Sequence, residues 1–182
     1  MNNFDLEKFL KETECNPNIS VIPCDQLLVD KPLPLNSAVI VNLDSSDLPG
    51  SHWVLFFTPD SAQKHCDWKL QNVEDETPLI WFDSLGIAKK SFYPQFNKFF
   101  TNYHPILSNN SQPVQEIDRF SESCGMYCLY VAIRLCRGEN FYSIMNTFED
   151  HDLNFNECLV LDFLNKCYKT KHFNKYIGCK RV

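Results

Sequence analysis

The sequence predicts an α+β fold, with a mostly antiparallel, mixed sheet packed against a central helix and further helices flanking it. Three observations carry that prediction. Apolar runs rich in β-branched and aromatic residues recur in the first half of the chain, bounded by Pro, Gly and Asp as buried strands are. A segment apolar on nearly every side follows, from Cys124 to Gly138, which suits a helix packed on several faces. Helical patterns stand before and after these runs, so strands and helices segregate instead of alternating.

Taken in order, "DLEKFLKET" places Leu6, Phe9 and Leu10 at i, i+3 and i+4, an amphipathic first helix with Asp5 as its cap. The proline-punctuated stretch from Pro17 to Pro34 reads as a surface loop. "SAVIVNLD" (37–44), "HWVLFFTP" (52–59) and "LIWFDS" (79–84) read as buried strands, the last ended by Gly86. The polar "QKHCDWKLQNVEDETP" between the last two suits an outer strand with a long loop. "SFYPQFNKFFTNYH" is expected to be helical after Pro94, and "PIL" (105–107) to be a short strand. Ser121 or Ser123 can cap the central helix, and Gly138 is its expected stop. Two more helices are expected around 140–148 and 155–169.

Length and composition fit this picture. A chain of 182 residues, 44% hydrophobic and 14% aromatic with fifteen Phe, can bury a sizeable aromatic core. Without repeats, low-complexity tracts or linkers, residues 1–182 read as a single domain. No apolar run approaches the roughly 20 residues that span a bilayer, and the acidic, amphipathic start is unlike a secretory leader. The expected location is therefore intracellular, with no membrane partner. The nine cysteines are scattered and odd in number, which favours reduced thiols over a disulfide framework. Cys124 and Cys128 share a helix face, but no Cys-x-x-Cys or paired His completes a zinc set, so no metal is expected.

The net charge of −6 is unevenly spread. Lys166 to Val182 holds six basic residues and no acid, against 11 basic and 23 acidic residues elsewhere. That tail reads as a solvated face, or as a weak polyanion contact through Lys166, Lys169, Lys171, Lys175, Lys180 and Arg181.

The chemistry centres on "SESCGMYCLYVAIRLCRG". Cys124 is either one more small core residue or a nucleophile at a helix N-terminus, where unsatisfied N–H groups and the positive dipole end favour thiolate. A nucleophile needs a base, and the base an orienting partner. Among five histidines, His52 begins a buried strand, a rigid mount, although it can equally be a hydrogen-bonded strand-start residue. Asp83 ends a neighbouring strand after Ile80, Trp81 and Phe82; it can orient His52 or simply cap the turn to Gly86. Gln112 and Gln115, on the loop approaching Cys124, are candidate oxyanion amides or ordinary loop residues.

In combination, "PGSHWVLFF", "WFDSLG", "PVQ" and "SESCGMYCLY" resemble, in that order, the adenain-like cysteine proteases: the adenovirus maturation protease and relatives in virus-like DNA transposons. The ubiquitin-like-protein proteases form a more distant branch with the same order of site residues. The resemblance covers roughly residues 4 to 138. It implies a circularly rearranged papain-like fold, with the nucleophile at the N-terminus of the central helix. It also implies a cysteine endopeptidase with Cys124 as nucleophile, His52 as general base, Asp83 as orienter and Gln115 as oxyanion amide. Gln115 precedes Cys124 by nine residues, a slightly longer approach than the family usually shows. Trp53, beside the base, and Gly125, beside the nucleophile, are assigned to substrate binding, with Trp53 walling a slot for glycine-containing sites.

By the same resemblance the partners are polypeptide substrates, viral or virus-like precursor proteins, cut by a monomer in host nucleus, cytoplasm or virion. The adenovirus enzyme is activated by DNA and by a disulfide-linked peptide. Here no cysteine lies between His104 and Gln115 and the balance is acidic, so no cofactor is expected to be required and neither activator is indicated. A deconjugating isopeptidase and a silent binding module of the same fold are the alternatives. A cysteine phosphatase is disfavoured, because Tyr130 stands where its phosphate-loop arginine belongs.

Overall fold

A computed structural model of the chain describes residues 3–12, 18–48, 50–60, 77–87, 94–104, 106–108, 112–115 and 123–167. Among the described residues, five strands form one sheet in the order β1 (Ile19–Pro23), β2 (Ser37–Asn42), β3 (Trp53–Thr58), β4 (Leu79–Phe82) and β5 (Ile106–Ser108). β2, β3 and β4 run antiparallel, while β1 joins β2 and β5 joins β4 in parallel. The sheet is thus mixed, with an antiparallel centre and a parallel pair at each edge.

β1 corrects the expectation that Pro17 to Pro34 is all loop. Ile19 and Val21 alternate inward, with exposed Ser20 between them. Pro23 closes the strand on the sheet's edge, where a missing N–H costs least. The proposed outer strand in 63–78 falls almost wholly outside the described residues, as does the tail beyond Cys167.

β3 lies at the middle of the sheet and is buried at every position. Its period-2 geometry sends Trp53, Leu55 and Phe57 to one face and Val54 and Phe56 to the other, and both faces are covered. That double burial is why the sequence shows an unbroken apolar run there instead of an alternation. On one side α3 (Cys124–Cys136) crosses the sheet, with every residue but Arg134 buried. On the other, a 3₁₀ turn (Pro94–Phe96) runs into α2 (Asn97–Phe100), much shorter than the expected helix. Phe96, Phe99 and Phe100 close around Phe56, with ring centroids 5.0 to 5.7 Å away, two of them edge-on.

The first helix, α1 (Asn3–Glu12), begins two residues before Asp5, which therefore sits in its first turn and is not its cap. Leu6 and Phe9 of α1 are fully buried in the α3 face of the core. α3 ends as the sequence predicts. Gly138 takes φ +86°, and the N–H groups of Gly138 and Glu139 reach back to the carbonyls of Leu135 and Arg134. Asn140 caps α4 (Phe141–Met145) through its side chain, and α5 (Leu153–Cys167) packs back on α3.

Candidate active site

His52 stands one residue before β3, at the end of the hairpin loop from β2. Its carbonyl accepts from Leu43 N–H at 2.9 Å, which extends the ladder past the strand end. The loop leading to it turns at Gly50 with φ +94°, a conformation L side chains rarely adopt. A Cβ there would also run into the Asn42 amide, whose Oδ1 accepts from Asp44 N–H. Ser51 Oγ closes the loop by donating to Asp44 Oδ1 at 3.0 Å. The histidine is thus mounted on a fixed turn.

Antiparallel register brings its partner alongside. Leu55 pairs with Phe82, so the start of β3 lies beside the residues that follow β4. Asp83, 0% exposed, accepts from His52 Nε2 at 2.8 Å and from Leu85 N–H at 2.9 Å through the same Oδ1. Both sequence readings of Asp83 therefore hold at once: it holds the imidazole and it shapes the turn.

Cys124 is the first residue of α3 and is 6% exposed. One turn on, Cys128 Sγ donates to the carbonyl of Trp53 at 3.5 Å, tying the helix to the first residue of β3. His52 is hydrogen-bonded to Asp83 and lies close enough to Cys124 for the sulfur to act on its charge state. With Nε2 engaged by Asp83, Nδ1 is the nitrogen left to face the sulfur. Burial alone would pull the imidazole down. The hydrogen bonds to Asp83 and Cys124, and the charges of both, outweigh it and raise the pKa of His52 to about 9. Cys128 goes the other way. Full burial, with Cys124 and Asp83 nearby, lifts its thiol well above the usual range and keeps it neutral.

Gln115 is 2% exposed, unlike an ordinary loop glutamine. Its Oε1 accepts from Ser84 Oγ at 2.7 Å, and the Ser84 carbonyl accepts from Val114 N–H and Gln115 N–H. Gln112 is elsewhere: its amide donates to Asp150 Oδ1 at 2.7 Å in an exposed contact. Ser123 does not cap α3 with its side chain; its hydroxyl donates to Glu157 of α5 at 3.1 Å.

Trp53 and Gly125, assigned to substrate from the sequence, are both buried. A Cβ on Gly125 would meet Leu6 at 3.0 Å and Trp53 at 3.4 Å, so the three pack together behind the nucleophile. Their first role is to let α3, α1 and β3 approach closely.

Ser84 and Asn156 are site residues that the sequence did not reveal. Asn156 of α5, fully buried, donates to Val114 O at 3.0 Å and exchanges bonds with the backbone of Glu149. Nothing local marks these two, because each acts across more than 30 positions of sequence. Among the described residues, no group of three or more His, Cys, Asp or Glu side chains could hold a metal ion.

A thiol, an imidazole and a buried carboxylate in series form the arrangement that activates a sulfur nucleophile. No family model matches the chain, and no curated protein matches it either. Among solved structures, it is similar to the selenomethionine crystal structure of the ASFV pS273R protease, at 16% identity and a TM-score of 0.38. That likeness covers 74% of this chain and 44% of the other, so the chain spans less than half of that protein's length.

Proposed function

We propose that the protein is a cysteine endopeptidase with a papain-like arrangement of its site. One observation carries this reading: His52, hydrogen-bonded at 2.8 Å to the buried carboxylate of Asp83, stands beside Cys124 at the start of α3, and these two neighbours raise its pKa to about 9. An imidazolium beside the sulfur supplies the countercharge a thiolate needs.

In this reading the Cys124 thiolate attacks the carbonyl carbon of a peptide bond, and the carbonyl electron pair moves onto oxygen. The Gln115 amide and the N–H groups at the start of α3 hold that oxyanion. His52 gives its proton to the leaving amine as the C–N bond breaks, leaving a thioester on Cys124. Water then attacks the thioester, His52 takes its proton, and the thiolate departs with the imidazolium restored. Asp83 keeps Nε2 engaged throughout, so that Nδ1 does the proton transfer.

The substrates we propose are extended polypeptides with glycine at the cleavage site, viral or virus-like precursors among them, on the sequence resemblance to adenain-like proteases. Trp53 acts on them indirectly, by packing against Gly125. Polyanions make at most a weak, salt-sensitive contact through Lys166 to Arg181.

The test is cleavage of a glycine-containing precursor peptide by the wild type, Cys124→Ala and His52→Ala, with ubiquitin-like modifier conjugates assayed beside it. Both variants should fold and lose activity. Iodoacetamide at about pH 6 should label Cys124 ahead of exposed Cys158, because Cys124 has the His52 imidazole beside it. Activity that survives Cys124→Ala would sink the assignment, and cleavage of conjugates alone would move it to the isopeptidases.

A further inference from the structure

A serine heading a helix ordinarily takes extended backbone and turns its oxygen onto the second or third N–H of that helix. Ser123, directly before Cys124, does neither. It has φ −89° and ψ −9°, and its side chain makes no cap bond to α3. Its hydroxyl donates instead to Glu157 Oε2 at 3.1 Å, and the same oxygen receives Tyr127 O–H at 3.4 Å. An ionised carboxylate only accepts, so the direction of both bonds is fixed. Glu157 is itself firmly mounted. Asn156, its neighbour in α5, is fully buried and grips backbone on both sides: Nδ2 donates to Val114 O and Glu149 O, and Oδ1 accepts from Glu149 N–H.

The carbonyl of Ser123 takes the N–H groups of Met126 at 2.8 Å and Tyr127 at 3.1 Å. Those of Cys124 and Gly125, the first two of α3, have no intrahelical acceptor. We infer that Glu157 is a positioning residue that keeps the Ser123 hydroxyl off the start of α3, so that these two donors stay open to an oxyanion. The inference rests on the protease reading above. Glu157 touches no reacting atom; it acts through Ser123. Without the carboxylate, Ser123 can turn to the capping conformation and its oxygen can occupy the Gly125 N–H. A developing oxyanion then loses that donor and meets a lone pair in its place.

Two probes of Cys124 separate this role from general damage. A peptide aldehyde ending in glycine forms an S–C bond with the thiolate, and its carbonyl electron pair moves onto oxygen, which needs the helix donors. Iodoacetamide forms an S–C bond with loss of iodide and makes no oxyanion. Glu157→Ala should lower kcat by about 10- to 100-fold, with KM within about twofold. Aldehyde affinity should fall in parallel, while alkylation of Cys124 is not slowed. Glu157→Gln, whose amide oxygen still accepts from Ser123, should recover most of both losses. The double variant Glu157→Ala/Ser123→Ala has no hydroxyl to turn onto the helix. It should be faster than Glu157→Ala alone, a rescue that accumulated damage cannot give. If Glu157→Ala does not fold, Glu157→Met fills a similar volume without the carboxylate and carries the same expectations. Wild-type kcat and aldehyde affinity without the carboxylate, a double variant no faster than the single one, no recovery in Glu157→Gln, or alkylation slowed in step with kcat each overturn the role of Glu157. A wild type inert to peptide and aldehyde alike overturns the protease reading, and this inference with it.

Discussion

Replacing Asp83 with Asn isolates the charge that sets the state of His52. Asparagine keeps an oxygen for the Nε2 proton and for Leu85 N–H but removes the carboxylate. In the native site an imidazole raised from 6.5 to about 9 corresponds to roughly 3 kcal/mol of preference for the imidazolium. His52 is only 12% exposed, so solvent screens little of this. The folded chain holds the proton more tightly than the unfolded chain does. This contribution to stability is therefore complete below about pH 6.5 and is lost as pH rises through about 9. In Asp83→Asn, burial is left to pull the imidazole down against Cys124 alone, and titration should move acidward by at least about one pH unit. The stability difference between about pH 6 and pH 10 should shrink accordingly. Peptidase activity should fall about 100-fold or more, with its alkaline limb moved the same way as the titration. NMR titration of the His52 ring, assigned with His52→Gln, reads the first effect; denaturant melts and kcat/KM profiles read the others. A wild-type ring titrating near 6.5, or an Asn variant titrating with the wild type, would refute the electrostatic argument.

The remaining expectations are simpler. Gln115→Ala should lower kcat by about 10- to 1000-fold with little change in KM, whereas Gln112→Ala, which breaks an exposed bond to Asp150, should leave kcat near wild type. Steady-state kinetics on both separates the buried amide from the surface one. Gly50→Ala combines a positive φ with a collision at Asn42, so it should cost about 1 to 3 kcal/mol of stability. It should also lower kcat by displacing His52, and a thermal melt read beside the assay checks both.

Much of the candidate site was legible because its residues sit at element ends, which sequences mark well. His52 follows Gly and Ser and opens an apolar run, Asp83 closes one, and Cys124 opens a helix. Two antiparallel neighbours place the beginning of one strand beside the end of the other, so the His52–Asp83 bond follows from topology once the strands are right. β1 was illegible for a complementary reason. It is short, flanked by prolines, and paired in parallel with β2, so no hairpin turn announces it. Asp5 looked like a cap because sequence shows the first periodic apolar residue, not where the backbone starts to coil. Ser84 and Asn156 were hidden since their partners lie 31 and 42 residues away, and a lone Ser or Asn carries no period.

What the fold adds is an economy of attachment. Asp83 and Ser84 are consecutive, and between them they hold the imidazole of His52 and the amide of Gln115. Both side chains therefore depend on one turn, closed by Gly86 N–H to Asp83 O at 2.9 Å. That turn is in turn placed by the β3–β4 register. Slipping β4 by one residue would send Asp83 to the wrong face and remove Ser84 from Gln115 in the same step. The double burial of β3 and β4 is what forbids the slip, because a one-residue shift would exchange Trp81 and Phe82 between two differently shaped cores. The aromatic cluster packs on the sheet face opposite the core that holds Cys124, and it guards the alignment of the site through register. Truncating Phe56 or Trp81 should therefore disturb the site through the sheet before it disturbs any group that does chemistry.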